Sequence, residues 1–289
     1  MDVSVGVLLA LIPLFGWGFA DLIARFAVEK EHYYKVLFYS QALGIPITLL
    51  TIFFLGGFNP LSPSLIPHVF VLGFLWTMGF LFYYKAILAG KLSIVSPVAA
   101  SWALIPVFFG VFVFGNQITF LTGTGIVLSI FGVILASTSF SEVRKYKKAF
   151  LMDGVPYALA AMLSWGFMFA FLGDVVDGLG PFMPVLILKS LLILFLAFLA
   201  PLTGKSISFP VRSVFPLIFL NGLFEVIAFL GFNYSLQTEF ISVVSPVAAA
   251  FPAVTVVLAH YFLKERIELN QKIGILLILL GLIFLAIIF

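Results

Sequence analysis

Apolar runs of about twenty residues, separated by short polar or glycine- and proline-rich breaks, fill the chain from end to end. A bilayer core of about 30 Å takes about 20 apolar residues in a helix. With Gly, Pro, Asn and charged residues read as breaks, the pattern predicts ten helices. They lie at about 3–27, 34–56, 66–85, 92–115, 119–139, 152–173, 181–201, 213–235, 240–263 and 270–289. The first break is Val28-Glu29-Lys30-Glu31-His32, the second Gly56-Gly57-Phe58-Asn59-Pro60, and Asn116-Gln117 makes a tight fourth turn. The longest hydrophilic segment, from Ser139 to Lys148, separates two sets of five. The first apolar run leads into further spans and lacks a basic start, so it reads as a helix and not a cleaved signal.

The two sets are copies of one unit. Ser96-Pro97-Val98-Ala99-Ala100 recurs as Ser245-Pro246-Val247-Ala248-Ala249, 149 positions later. Ser93 and Ser242, Gly125 and Gly274, and Gly132 and Gly281 match at the same offset of 149. Trp17-Gly18-Phe19 matches Trp165-Gly166-Phe167 at 148, so one loop gained a residue. The matches predict a first repeat at 1–140, a basic cytoplasmic linker at 141–151 and a second repeat at 152–289. Because five is odd, the second copy enters the membrane from the side opposite to the first. The basic residues point the same way. Of the 15, all but Lys189 lie in or beside loops 1–2, 3–4, 5–6, 7–8 and 9–10. The positive-inside rule places those loops in the cytoplasm and both termini outside.

Composition narrows the class. Hydrophobic residues make up 63% of the chain and charged residues 9%, against about a quarter charged in soluble domains. With a mean hydropathy of +1.24, this is an all-α integral membrane protein. The net charge of +3 sits in short loops, where it orients the chain in the bilayer and gives no reason to expect nucleic acid. Cysteine is absent, which excludes disulfides, thiolate metal sites and cysteine nucleophiles. His32, His68 and His260 fall near span ends without a paired-His motif, so neither a metal nor a cofactor is expected. No soluble domain is appended to drive transport by ATP hydrolysis. The lack of a targeting extension fits a prokaryotic cytoplasmic membrane.

Inverted repeats recur in secondary transporters, where two similar halves expose one site to alternate sides. The chain resembles the EamA family of the drug/metabolite transporter superfamily over nearly its whole length. The resemblance rests on two five-helix repeats and the Trp-Gly near each start. It also rests on Ser-Pro-Val-Ala-Ala entering each fourth helix and the Gly-x6-Gly of each fifth. Phe262-Leu263-Lys264-Glu265-Arg266-Ile267 is similar to the family's acidic ending of the ninth helix, whereas Asn116 stands at the equivalent place in the first half. The resemblance implies a ten-helix basket around a central cavity that moves small metabolites such as amino acids, drugs or sugar conjugates.

Three ionisable residues lie well inside predicted spans: Asp21, Lys189 and Glu225. A charge at a helix centre costs about 2.5–3.5 kcal/mol on insertion scales, so these side chains face the interior or pair. Their repeat partners are Phe169, Gln41 and Trp76, so the shared fold does not require the charges. Lys189 is expected to pair with one acid, leaving the other for a proton or a cationic group. A purely structural ion pair is the competing reading. Arg25 and Lys85, nearer helix ends, are expected to snorkel to the headgroups. Trp17, Gln41, Trp76, Tyr83, Trp102, Trp165 and Asn233 are candidates for contact with substrate or for coupling, and Tyr84 and Tyr234 are further aromatic candidates. Pro97 and Pro246 leave the carbonyls of Ser93 and Ser242 without a donor. These four are candidates for a hinge or cavity rim, against the plainer reading of prolines in a first helical turn. The paired glycines of the fifth and tenth helices read as packing.

The leading expectation is therefore a permease, not an enzyme, for a small organic metabolite. Amino-acid export is the activity the resemblance suggests, with protons as a candidate coupling ion and a monomer sufficient. Multidrug efflux of lipophilic cations is one alternative, although Lys189 would neutralise an acid. An intramembrane enzyme acting on lipid-linked substrates is another.

Overall fold

The computed structural model describes residues 5–115, 119–138, 140–141, 153–265 and 268–286. Asn116-Gln117, most of the basic linker and Arg266-Ile267 lie outside them. The described residues are helical, with no strand among them. Helices α1 (Val5–Val28), α2 (Tyr33–Leu55) and α3 (Ile66–Ala89) are continuous, the last entered through a 3-10 turn at Pro63–Leu65. The fourth predicted segment is divided into α4 (Leu92–Ala100), a 3-10 turn at Ser101–Ala103, α5 (Leu104–Phe108) and a π-helical stretch at Phe109–Val113. Helix α6 (Phe120–Ser137) closes the first half. In the second half come α7 (Val155–Ala170), α8 (Leu172–Leu179), α9 (Met183–Leu202) and α10 (Phe215–Ser235). They are followed by α11 (Ile241–Ala248), α12 (Phe251–Phe262) and α13 (Leu269–Ala286).

Every predicted segment holds helix. Among the described residues, seven helical runs are long and apolar enough to cross a membrane, or eight with α7 and α8 counted as one span bent by 42°. The apolar helices α6 and α13 are shorter. Helix α8 was not anticipated. It carries Asp174 and Asp177 past the predicted end of its span, after Phe171 leaves helical geometry (φ −109°, ψ 9°).

The repeated motif does not start its helices irregularly. Pro97 and Pro246 are each the sixth residue of α4 and α11, beyond the first turn. The irregularity follows the motif. Pro106 and Pro252 remove the N–H groups that would serve the carbonyls of Trp102 and Ala248, and the helices break just there. Ser101 Oγ also donates to Pro97 O at 3.0 Å, sharing that carbonyl with the Ser101 N–H.

Contacts between the halves come in exchanged pairs. Helix α1 packs on α10 and α3 on α7; α2 packs on α10 and α3 on α9. Helices α2 and α9, the second of each repeat, pack on each other, as do α6 and α13, the fifth. At the last of these, Gly132 lies against the Gly274 carbonyl, while Gly281 lies against the Gly125 carbonyl and Ser129. Each glycine of one helix thus meets the non-equivalent glycine of the other, so α6 and α13 run antiparallel. Bare glycine surfaces let backbones approach where no hydrophobic force favours helix association in lipid.

One end of the bundle gathers the loops after α1, α3 and α9. Glu31 accepts from His32 N at 2.9 Å and from Val211 N at 3.1 Å, joining the first of these loops to the third. Burial pushes the Glu31 carboxyl up, but these bonds and Lys35 (3.4 Å) outweigh it and hold its pKa below the ordinary value. Arg25 does not reach for lipid. It pairs with Glu29 at 2.7 Å and donates to Ile87 O and to Gly90 O (3.1 Å), capping the C-terminal end of α3. Lys85 lies 5.8 Å from the Tyr157 ring centre. Glu265, after α12, accepts from Ser93 N at 3.1 Å and so caps the start of α4. At the other end Gly57 meets Phe182, Gly180 meets Asn59, and Gly6 meets Thr238 and Glu239.

Candidate functional site

The centre of the bundle holds a cavity of about 40 Å³. Helix α1 is wedged beside it by two glycines. Gly16 lies against Phe224 O and Ala228 of α10, and Gly18 against Phe251 O and Val254 of α12. A side chain at either position would push a neighbouring backbone away, and close approach on both flanks aims Trp17 inward between them. All four tryptophans of the chain line the cavity: Trp17, Trp76, Trp102 and Trp165. Trp17 makes an edge contact with Trp102 at 6.1 Å, Trp102 stacks on Phe169 at 4.1 Å, and Trp76 stacks on Phe229 at 4.4 Å. Gly79 of α3 makes room for the Trp165 indole, which also packs on Tyr83 at 5.0 Å.

Two carboxylates reach this aromatic chamber. Asp21, one turn after Trp17 on α1, is 6% exposed. Its Oδ2 accepts from Ser96 Oγ at 2.5 Å and from Thr255 Oγ1 at 3.1 Å. The Tyr83 hydroxyl faces the same carboxylate and Ser96 without hydrogen-bond geometry. Glu225 of α10 lies across the cavity and is ion-paired through Oε2 with Lys189 Nζ. Lys189 is fully buried and also donates to Gln41 Oε1 at 2.7 Å. Gly44, one turn after Gln41, leaves the space into which the Lys189 stem fits. Asn221, one turn before Glu225, accepts from Tyr84 OH at 2.8 Å and donates to Ala20 O at 2.9 Å, tying α10 to α3 and α1.

The lining is distributed over both halves by the repeat. Trp17 and Trp165, Asp21 and Phe169, Trp76 and Glu225, and Trp102 and Phe251 all line the cavity, and each pair is 148 or 149 positions apart. Gln41 and Lys189, themselves equivalent, meet where α2 and α9 cross. The EamA-like transporter family profile matches residues 4–138 and again 152–287. The chain belongs to the EamA-like transporter family. It is thus an integral membrane protein of the drug/metabolite transporter superfamily.

Among proteins similar to this EamA-like chain is an uncharacterised protein of Methanocaldococcus jannaschii, 36% identical over 83 residues. That match takes in 29% of this chain, and the chain spans 61% of the length of that curated relative. A crystal structure of another protein superposes with a TM-score of 0.77 over 99% of both chains at 15% identity, which speaks for the fold alone.

Of the predicted site residues, the structure brings Trp17, Asp21, Trp76, Tyr83, Trp102, Trp165 and Glu225 to the lining of the EamA-like cavity. Lys189 and Gln41 stand behind it, attached through Glu225. Asn233 is fully buried away from the lining, with neither amide atom hydrogen-bonded. Ser93, Pro97, Ser242 and Pro246 are buried and do not line it; Pro246 borders a separate small pocket beside α6. Tyr84 lines the cavity, whereas Tyr234 is 46% exposed and stacks on Phe182. His32 caps the start of α2, and the His260 ring bonds to Glu265 O at 2.6 Å. Sequence reasoning missed Ser96 and Thr255 as partners of Asp21. A signal existed for Ser96: it belongs to the repeated motif, and its equivalent Ser245 has no hydrogen-bond partner in the half where Phe169 replaces Asp21.

Proposed function

We propose that the chain is a secondary transporter that moves a small organic metabolite across the membrane by alternating access. The observation that carries this reading is the cavity itself, lined by repeat-equivalent residues from both halves. An inverted pair of five-helix repeats, at 1–140 and 152–289 about a basic linker, is supported by the antiparallel crossing of α6 and α13. The exchanged contacts between the halves support it too, since a two-fold relation makes non-equivalent positions meet reciprocally. Ten spans with both termini outside follow from the same arrangement and the one-sided basic loops. Rocking one half against the other would open the chamber to each side in turn. A monomer carries both halves of the site, and a secondary transporter needs no cofactor.

Amino-acid export, the activity suggested by the resemblance, would set the substrate amino group on Asp21 and its side chain among the aromatic walls. Asp21 is also the group best placed to carry a coupling proton. Lipophilic-cation efflux gains from one observation: Lys189 is committed to Glu225, which leaves Asp21 without a cation among the described residues. Proteoliposomes containing the purified chain test the transport reading. Substrate loaded inside should drive counterflow of labelled substrate above that of protein-free vesicles, and Asp21→Asn should reduce it at least tenfold. Counterflow no greater than in empty vesicles for amines, amino acids and nucleosides alike would remove transport.

A further inference from the structure

The charges facing the cavity do not balance. Asp21 and Glu225 are the acids among its fourteen lining residues, and no lysine or arginine among the described residues lines it. Lys189 lies behind Glu225, fully buried and held by Glu225 and Gln41. The donors to Asp21 are neutral hydroxyls, and both bonds go to Oδ2. The Glu225–Lys189 pair therefore cancels, and Asp21 is left as the carboxyl without a countercharge among the described residues. A carboxyl held away from water by neutral donors alone either takes up a proton or attracts a cation, so an ammonium group brought to Asp21 supplies the missing countercharge.

Four buried polar atoms on the lining add to this. The indole nitrogens of Trp76 and Trp165, the Tyr83 hydroxyl and Glu225 Oε1 have no hydrogen-bond partner. Tyr83 and Trp165 are neighbours, with ring centres 5.0 Å apart, so two of these donors belong to one wall. Indole N–H groups need an acceptor when buried. Nine of the fourteen lining residues are aromatic, so the walls suit a flat apolar body beside a cation.

We infer that the cavity selects protonated arylalkylamines that carry a neutral hydrogen-bond acceptor and lack a free carboxylate. The ammonium sits on Asp21, the ring lies among the tryptophans, and the acceptor faces Tyr83 and Trp165. A free carboxylate would enter a chamber that already holds two, with its one nearby cation committed elsewhere; specificity then comes from repulsion as much as attraction. This deepens the transport reading and rests on it for taking the cavity as the substrate site. It separates amines from amino acids, which resemblance to the family does not.

Binding of tyrosine methyl ester, tyramine, L-tyrosine and the neutral alcohol tyrosol to the purified full-length chain tests it. Because every tryptophan lines the cavity, fluorescence excited at the indole edge reports occupancy there. The two amines should bind at least about tenfold more tightly than tyrosine or tyrosol, the weight of one charge-assisted hydrogen bond. Asp21→Asn should abolish the preference for the ester over tyrosol. Tyrosine binding as tightly as its ester, a charge preference that survives in D21N, or no binding of either amine would each overturn the inference. The comparison of ligands on the unmodified protein decides the matter even if D21N fails to fold. Counterflow separates the two readings. Charge-selective binding without flux removes transport and keeps the site, whereas flux of tyrosine without preference for amines removes only this inference.

Discussion

Lys189→Met lowers the unfolding free energy of the detergent-solubilised protein by about 3–5 kcal/mol, the usual loss when one member of a buried ion pair is removed. The ammonium is fully buried, pairs with Glu225 and donates to Gln41 at 2.7 Å. Methionine fills much the same volume and keeps the stem against Gly44, so packing changes little. What is lost is the counter-charge. Glu225 Oε1 already has no partner, and removal of Lys189 strips Oε2 as well. The amide of Gln41, whose Nε2 is already unpartnered, then also loses its Oε1 bond. The double variant Lys189→Met/Glu225→Leu should regain most of the loss, because an apolar pair of similar volume carries no charge to desolvate. Equilibrium unfolding of the two variants in mixed micelles checks both statements. A single variant within about 1 kcal/mol of the parent would show that water or a proton neutralises Glu225 unaided.

Gly274→Leu is expected to cost about 3 kcal/mol or more, at the upper end of overpacking effects. A Cβ at 274 would meet the backbone of Ala136 and the Gly132 carbonyl, neither of which is a flexible side-chain end that can swing aside. Helices α6 and α13 must therefore separate along their shared face. In lipid that separation loses dispersion contacts that apolar solvent does not replace in kind. The contact is remote from the cavity, so ligand affinity of the surviving folded fraction should stay within about twofold of the parent, as expected for distant independent sites. Thermal unfolding followed with a ligand titration distinguishes this outcome from damage to the site.

The architecture was legible to the extent that it is repeated. Trp17 and Trp165 share a motif, and both reach the cavity. Asp21, Lys189 and Glu225 stood out because charge inside a span needs a reason, and all three fall in or directly behind the lining. Partner choice was not legible. Either acid satisfied the requirements of Lys189, and only the crossing of α2, α9 and α10 selects Glu225. Face was equally hidden, because these helices are apolar nearly all round. On α2 the buried Gln41 and the exposed Phe53 and Phe54 belong to one continuous apolar run, and no polar stripe marks the inner side. Arg25 was misplaced for a related reason: its proximity to a helix end was visible, but not the open carbonyls of α3 beside it. The hinge expectation centred on Pro97 and Pro246 because they repeat, whereas the breaks lie about one turn before Pro106 and Pro252, which are not at equivalent positions.

The most direct test of alternating access uses the absence of native cysteine. Ala24 lines the cavity and is 2% exposed, so Ala24→Cys supplies a single thiol at the heart of the site. The variant is placed in vesicles of defined orientation and treated with a membrane-impermeant maleimide from one face and then from the other. Labelling from both faces, suppressed on each by bound substrate, is the predicted result. A thiol reached from one face alone under every condition would contradict alternating access around this cavity.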